Sequence, residues 1–197
     1  MTRKEQKEQR RILILKNALD LFVEKGYAAT TTSEIAKAVG MSEGLLFHYF
    51  ASKEKLYMEL VQNGVKGIQV FSDAISDPYD TLYQVINNFM QNIQSDRIAA
   101  KMFVLMNMAQ NPAITPVSVY NMATTVNIIQ ESVPIIEQGQ RQGIFRDGDA
   151  LSLAYTFWNA FDGNMTEIAR NPKMPLPDPQ WLMAILAQRQ HEGEDRV

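Results

Sequence analysis

The sequence of 197 residues contains no cysteine and two histidines, His48 and His191. Without cysteine there can be no disulfide, thiolate nucleophile, cysteine-ligated zinc or iron–sulfur cluster. Two histidines so far apart supply neither a His-x-x-x-His metal pair nor a Ser-His-Asp triad within one chain. We therefore expect no catalytic residue, no metal and no cofactor.

Long hydrophobic runs are also missing. No segment approaches the ~20 apolar residues of a membrane span, and the first residues lack the apolar region of a signal peptide. We expect a cytoplasmic protein with no membrane partner.

Charge is distributed unevenly along the chain. The net charge is −3, but residues 1–16 carry +4 and residues 61–197 carry −5. A positive segment attached to an acidic body is typical of a protein whose one end approaches a polyanion. Many solvated N-termini are also rich in lysine, so this pattern indicates a partner only together with a motif.

Apolar residues recur at spacings of three and four, and no segment alternates as a strand does. We predict an all-α protein of about nine helices. The first is expected over residues 9–25, ending at Gly26. Thr31 and Glu34 form a capping box for a short second helix, and Ser42 caps a short third helix.

Longer, core-facing helices are expected beyond a fourth helix that begins at Lys53. One helix should run from near Pro116 past Ile135, kinked or interrupted at Pro134 because proline cannot donate to the helical ladder. Another should span residues 149–170. Prolines then predict an extended link before a last helix. The prolines are residues 172, 175, 177 and 179, and the last helix carries Trp181, Leu182, Ile185 and Leu186.

The most specific pattern is that of a helix-turn-helix, in which Ala36, Gly40 and Leu46 occupy the fifth, ninth and fifteenth positions from Thr32. Two steeply crossing helices need a small residue at their contact, which Ala36 supplies. The turn needs a positive φ, which Gly40 tolerates. Leu46 anchors the second helix inward. In such a unit the second helix lies in the major groove, so Ser42, Glu43, Gly44, Leu45 and His48 should face DNA.

Residues 9–60 resemble the DNA-binding domain of the tetracycline-repressor (TetR) family of bacterial transcription regulators. The resemblance is carried by a connected string of residues and covers about a quarter of the chain. The string comprises Gly26-Tyr27, Thr30-Thr31, Ile35-Ala36, Gly40-Met41-Ser42, Gly44, Leu46, His48-Tyr49-Phe50 and Ser52-Lys53-Glu54. It implies a DNA-binding domain over residues 1–52 and a helical effector-binding and dimerisation domain over residues 53–197.

The resemblance also implies that Thr31, Lys53 and Tyr49 bind phosphates and that further residues contact bases or the groove. Two positions depart from the family pattern. Phe47 stands where tyrosine is common, which removes a phosphate hydrogen bond, and Glu43 stands where lysine or arginine is common. Glu43 could accept a hydrogen bond from cytosine N4, and Leu45 could pack on a thymine methyl group. The complete predicted DNA-binding set is Thr31, Thr32, Ser42, Glu43, Gly44, Leu45, Phe47, His48, Tyr49 and Lys53.

Eleven methionines share the chain with many aromatic residues. Most such residues form an ordinary core, but a polarizable and adaptable core can also open into an apolar ligand pocket. The family resemblance favours a largely apolar small-molecule effector, and Asp162 could face a cationic group. The predicted ligand-binding set is Tyr83, Phe89, Met90, Phe103, Met106, Met122, Trp158, Phe161 and Asp162.

The last two helices present more apolar surface than one monomer face needs. In the family the corresponding helices pair across a two-fold axis, which implies a homodimer that places two recognition helices on a palindromic operator. The surface consists of Leu151, Tyr155, Trp158 and Met165 on one helix and Trp181, Leu182, Ile185 and Leu186 on the other; its alternative role is an intrachain core.

We interpret the chain as a ligand-responsive repressor in which the effector shifts the fourth helix. Two other functions stay open: a constitutive DNA-binding protein with a structural C-terminal domain, and an all-helical enzyme. Asp147 with Asp149, and Asp162 with Glu167, are poor acid–base pairs. The first pair lies in a turn before a helix, where acidic groups favour the N-terminus, and the second lacks convergent partners.

Overall fold

The computed structural model describes residues 2–68, 77–171 and 173–188, so Pro172 and His191 lie outside the described residues. Helices dominate the described chain, and an isolated antiparallel bridge pairs Phe145 with Ala187. The all-α prediction is confirmed. The described helices are α1 (Arg3–Ala29), α2 (Thr32–Ala38), α3 (Glu43–Phe47), α4 (Lys53–Ile68), α5 (Pro78–Ser95), α6 (Ile98–Ala109), α7 (Val117–Ala123), α8 (Ile128–Arg141), α9 (Ala150–Arg170) and α10 (Pro179–Met183).

The helix caps in the N-terminal part lie where the sequence predicts them. Thr31 and Glu34 form a reciprocal capping box at the start of α2, and the Ser42 hydroxyl accepts the Leu45 N–H at 3.2 Å. Gly26 has a φ of 81° and interrupts the regular part of α1. These features depend on residues within three or four positions of each other, which is why the sequence reveals them.

Helix α1 begins six residues earlier than predicted. Thr2 and Glu5 form a second capping box, so the charged residues before Gln9 are helical. Apolar spacing starts at Ile12 and gives no sign of this extension. A good N-cap followed by Lys, Arg, Glu and Gln, all favourable helix formers, explains it.

The single helix predicted from Pro116 past Ile135 is wrong, because the segment forms both α7 and α8. The Thr124 and Thr125 hydroxyls donate to carbonyls of the last turn of α7. Asn127 then caps α8 by accepting the Gln130 N–H at 3.1 Å. These side chains compete with the helical ladder and separate the two helices. Helix α8 continues through Pro134 without the predicted interruption.

The last predicted helix is also too long. Helix α10 ends at Met183, after which the chain turns and pairs with the segment before α9. The Arg146 N–H donates to the Leu186 carbonyl at 2.8 Å, and the Gln188 N–H donates to the Ile144 carbonyl at 3.1 Å. Leu182 and Leu186 are buried within the chain by this arrangement.

Two hydrophobic cores meet along α6. The N-terminal core contains residues of α1 to α4 but also Leu105 and Met106 from α6 and Val119 from α7. The C-terminal core is built from α5, α8, α9 and α10 and includes Phe103 of α6. Helix α6 therefore contributes to both cores, and the N-terminal core extends across the boundary predicted after residue 52.

Candidate DNA-binding surface and ligand pocket

Helices α2 and α3 have the geometry of a helix-turn-helix. Gly40 adopts a φ of 66° in the turn, and the Met41 N–H donates to the Ala36 carbonyl at 3.0 Å. Ala36 and Leu46 are buried in the N-terminal core. The small residue, the turn and the anchor thus occupy the places that the motif predicts.

The outer face of α3 is exposed over its whole length. Leu45 and Phe47 expose 45% and 46% of their surface, and a Cβ atom added at Gly44 would meet nothing within 4 Å. Glu43 and His48 are exposed as well. Two large apolar side chains on the outer face of a five-residue helix mark a surface that a partner can cover.

Glu43 is not an isolated carboxylate, because the Thr32 hydroxyl donates to its Oε1. This bond joins the first residue of α2 to the first residue of α3, eleven positions apart. It fixes the orientation of the carboxylate on the outer face. Nothing in the sequence signals this pairing, although the motif assigns both residues to the same surface.

The Lys53 ammonium is directed inward. It donates to the Tyr27 and Thr30 carbonyls at 2.7 Å each and lies 4.2 Å from the centre of the Tyr27 ring. Desolvation lowers the pKa of Lys53. The first residue of α4 is thereby tied to the last turn of α1 and to Thr30, which follows it.

Arg11 holds the end of the helix-turn-helix against α1. Its Nη1 donates to the Tyr49 carbonyl at 3.0 Å, its guanidinium stacks 4.4 Å above the Phe50 ring, and it forms an ion pair with Glu59. Sequence reasoning missed this role, since nothing in the sequence separates Arg11 from its basic neighbours. The hydroxyl of Thr31, which the resemblance assigned to phosphate binding, donates to the Glu34 carboxylate at 2.9 Å.

A cavity of about 460 Å³ lies between α4, α5 and α6. Its buried part is apolar, and carboxamides from α4 and α5 lie at its exposed side. No ionisable side chain belongs to the described lining residues. The lining consists of Val85, Phe89, Ala99, Met102, Phe103 and Met106, the carboxamides Asn63, Asn88, Gln91 and Asn92, and the glycines Gly64 and Gly67.

Gly64 allows α4 to approach α6 closely beside this cavity. A Cβ atom at Gly64 would lie 2.7 Å from Met106 Cγ, whereas one at Gly67 would meet nothing within 4 Å. Contacts under 3.0 Å require a neighbouring atom to move. Gly64 is thus a point of direct contact between α6 and α4, the helix that begins at Lys53.

Comparison with known proteins relates this architecture to bacterial regulators. A family model described as bacterial regulatory proteins, tetR family, matches residues 14–60. The transcriptional repressor KstR2 of Mycobacterium tuberculosis is 28% identical over 154 residues, which cover 77% of each protein. IcaR of Staphylococcus epidermidis, a negative transcriptional regulator of a biofilm operon, is 32% identical over 49% of this chain and 52% of its own length. The crystal structure of the MbdR regulator from Azoarcus sp. CIB superposes with a TM-score of 0.75 at 25% identity, over 90% of this chain and 97% of that one.

Residues 14–60 match the TetR family, and the chain is similar over most of its length to the bacterial regulators KstR2 and MbdR. It is a DNA-binding transcriptional regulator, and the curated relatives named above are regulators rather than enzymes. In the described residues, no helix is long and apolar enough to cross a membrane.

The cavity of this regulator is lined by only part of the predicted ligand-binding set. Phe89, Phe103 and Met106 line it, and Trp158 and Asp162 border a smaller cavity of about 130 Å³ that shares Phe103. The sequence missed the carboxamides and the two glycines. Polar residues spaced along a helix have the same pattern as a solvated face, so only the packing of the helices shows that these residues border a cavity.

The other predicted ligand residues do not line the larger cavity. Tyr83 stacks on Tyr79, Met90 is buried in the C-terminal core, and Met122 packs against the N-terminal core. Phe161 supports the cavity from behind, since its ring contacts those of Phe89 and Phe103. Asp162 accepts a hydrogen bond from Asn107, and burial raises its pKa.

The predicted dimer surface needs correction. Trp158 and Met165 are buried within the chain, and the Trp158 indole N–H donates to Ser132 Oγ at 3.0 Å. Leu182 and Leu186 are buried in the same core. The residues of the set that remain exposed are Leu151, Tyr155 and Trp181, and Ile185 is half-buried.

Proposed function

We propose that this regulator is a homodimeric repressor, which a largely apolar small molecule releases from a palindromic operator. The observation that carries the proposal is the position of the cavity. Helix α4 forms one wall of it and begins at Lys53, which is hydrogen-bonded to the last turn of α1 and to Thr30 just before α2. A ligand in the cavity would therefore contact an element attached directly to the DNA-binding helices.

On the DNA side, the exposed face of α3 would lie in the major groove. In two protomers related by a two-fold axis, the α3 helices would read half-sites about 34 Å apart. Glu43, positioned by Thr32, would accept a hydrogen bond from cytosine N4, and Leu45 would pack on a thymine methyl group. Gly44 permits close approach of the backbone, and Phe47 and His48 lie beside the groove.

Phosphate contacts would come from the edges of the helix-turn-helix. Ser42 and Tyr49 flank α3, and Thr31 lies at the start of α2. Two of the three N–H bonds of the Lys53 ammonium are directed to carbonyl groups. From this inward position Lys53 would add positive potential near the phosphates and would hold α4 in place against the end of α1. Such contacts set affinity and orientation, whereas α3 sets sequence preference.

The cavity supports an uncharged ligand with an apolar body. Methionine and phenylalanine side chains form its depth, and carboxamides can donate and accept hydrogen bonds at its exposed side. A charged ligand would have to give up its hydration without gaining an opposite charge from the described lining. We therefore assign a neutral molecule with an alcohol, carbonyl or amide group at one end.

Release requires that the ligand bind two conformations with different affinity. Occupation of the cavity would separate α4 from α6 near Gly64 and move Lys53 with the helices tied to it. The distance between the two copies of α3 would then no longer match the operator. A constitutive DNA-binding protein, the first alternative, requires no cavity at this place.

The test is equilibrium binding of the purified protein to the DNA upstream of its own gene, with an unrelated duplex as competitor and a salt titration. We expect preference for the upstream DNA to persist near physiological salt, with two chains bound per site. Phosphate contacts alone would give binding that falls steeply with salt and ignores sequence. Equal binding to both duplexes at every salt concentration would contradict the proposal.

The ligand half of the proposal is tested with Nile red, a neutral apolar dye. Its fluorescence should rise on binding to the wild-type protein. An Ala99→Trp variant, which fills the cavity from α6, should bind several-fold less dye and still bind the operator. Unchanged dye binding in this variant would place the dye, and the proposed ligand site, elsewhere.

A further inference from the structure

A basic groove lies between the first turns of α1 and Tyr49, two residues after the end of α3. Helix α1 contributes three basic residues, two glutamines and a leucine to its lining. The lining residues are Arg3, Gln6, Lys7, Gln9, Arg10, Leu13 and Tyr49. The groove exists only because α1 begins at Arg3, six residues before the apolar pattern predicts.

The three cations of the groove lie on one face of α1. Lys7 follows Arg3 by four positions and Arg10 follows Lys7 by three, which are the spacings of helical neighbours. None of the three forms an ion pair with any residue that the structure describes. Glu5 is engaged in the capping box with Thr2 and does not line the groove.

The groove has a fixed position relative to the recognition helix. Arg11 donates to the Tyr49 carbonyl and stacks on Phe50, which holds the end of the helix-turn-helix against α1. An anion in the groove would thus lie beside Tyr49, two residues beyond the end of α3. Because the groove is positively charged and lies beside α3, the anion best placed to enter it is the nucleic acid that α3 itself contacts.

The family match does not cover the three cations of the groove. The residues that match the family model begin at residue 14, after all three cations. The predicted DNA-binding set shares only Tyr49 with the groove. The positive charge of residues 1–16 indicated a polyanion partner but did not indicate which of the six basic side chains would act together.

We propose that the groove of Arg3, Lys7, Arg10 and Tyr49 binds a DNA backbone phosphate outside the base pairs that α3 reads. This inference rests on the proposed function, since it presupposes that α3 is on the operator. The three cations would add affinity without sequence preference and would lengthen the duplex that each protomer needs. The contact is made by a rigid, capped helix, so little conformational entropy is lost on binding.

The chain offers a matched control in Lys4. Lys4 is exposed on the same turn as Lys7 and carries the same charge, but it does not line the groove. Lys7→Gln and Lys4→Gln therefore change the net charge equally and differ only in position. Both residues are exposed, so neither substitution disturbs the core; matching thermal unfolding curves would verify this.

The experiment measures binding of the full-length protein to two duplexes, one trimmed to the operator and one extended by about one helical turn, ten base pairs, on each side. The wild type and Lys4→Gln should bind the extended duplex several-fold more tightly than the trimmed one. Lys7→Gln should lose that difference. Its salt slope on the extended duplex should also fall by about 1 for each copy of Lys7 in contact.

Two results would overturn the inference while leaving the proposed function intact. One is that Lys7→Gln and Lys4→Gln behave alike on both duplexes. The other is that Lys7→Gln loses the same affinity on the trimmed duplex, which would place the phosphate inside the site. If the wild type shows no sequence preference on the trimmed duplex, the proposed function fails, and the inference fails with it.

Discussion

At the scale of single residues, Glu34 joins three groups near the start of α2. Its carboxylate accepts the Lys25 ammonium at 2.8 Å, the Thr31 N–H at 2.9 Å and the Thr31 hydroxyl at 2.9 Å. The hydrogen bond from Lys25, followed by those from Thr31, lowers the pKa of Glu34 to about 2. The ionised form therefore stabilises the folded helix-turn-helix.

We expect a Glu34→Gln variant to unfold a few degrees below the wild type at neutral pH, because it loses the charged bonds and keeps a weaker cap. A lowered folded-state pKa contributes stability that is present above the unfolded value of 4.5 and is lost as the pH falls through about 2. The difference between variant and wild type should shrink across that window. Thermal unfolding followed by circular dichroism measures it.

The control for this experiment is Glu137→Gln, which removes an exposed carboxylate of α8 that has no ion pair in the described structure. It should leave the unfolding temperature unchanged at each pH. A difference between Glu34→Gln and wild type that stays constant from pH 7 to pH 2 would show that the carboxylate charge does not stabilise this region.

Residue-scale predictions from the sequence succeeded where the partners are close along the chain. The capping boxes and the glycine turn involve residues three to five positions apart, and their geometry is fixed by the helix itself. The Lys53 contacts span 26 and 23 positions. Such partners depend on how the helices pack, which spacing along the chain does not show. The family pattern suggested that Lys53 binds phosphate, but in the fold its ammonium is directed inward.

At the scale of secondary-structure elements, α6 connects the two halves of the molecule. Phe103 belongs to the C-terminal core and Met106, one turn later, to the N-terminal core. Both side chains line the cavity. Displacement of either by a ligand would therefore act on the contact between α6 and α4.

We expect Gly64→Ala to weaken both Nile red binding and operator binding several-fold. The new methyl group would lie 2.7 Å from Met106 Cγ and would force Met106 to move or α4 to shift. Equilibrium titrations with dye and with labelled operator measure the two effects. Replacing Met106 with alanine in the same variant should restore operator binding by making room for the methyl group.

Gly67→Ala is the matched control, because it adds the same methyl group to the same helix where nothing lies within 4 Å. Each substitution raises helix propensity by about 1 kcal/mol, so this contribution cancels between them. Equal changes in operator affinity for the two variants would show that the α4–α6 contact does not affect operator binding.

Element-scale predictions were wrong where apolar spacing continues across a break. The Thr-Thr-Val-Asn segment between α7 and α8 carries the cap that separates them, but apolar residues on both sides suggested one helix. After α10 the chain pairs with residues 144–146, a contact between distant segments that periodicity cannot show. The four N-terminal helices and α9, whose ends carry local cap or stop signals, were predicted with their order and nearly all their ends.

At the scale of the whole molecule, α9 has an uncharged and partly exposed apolar face. Residues 150–161 contain no charged side chain, and Tyr155 exposes 47% of its surface. Trp181 of α10 exposes 71%. Exposed helices of single-chain proteins usually carry charge on their outer face, so this face favours the homodimer proposed above.

We expect Tyr155→Glu to halve the mass measured by sedimentation and to abolish tight operator binding, since two linked half-sites need two linked α3 helices. Val117→Glu is the control, because Val117 on α7 is 74% exposed and lies outside α9. It should remain a dimer. A Tyr155→Glu protein that keeps the wild-type mass would show that the protomers associate through another surface.

The shared N-terminal core has a consequence for exchanging parts between relatives. Leu105, Met106 and Val119 complete the hydrophobic interior under α1 to α4, although they lie far beyond residue 52. A chimera that transplants only the first 52 residues would place foreign side chains against these three and against α4. A graft intended to give a new operator preference should therefore change the outer face of α3 alone, or carry α4, the end of α6 and α7 as one piece.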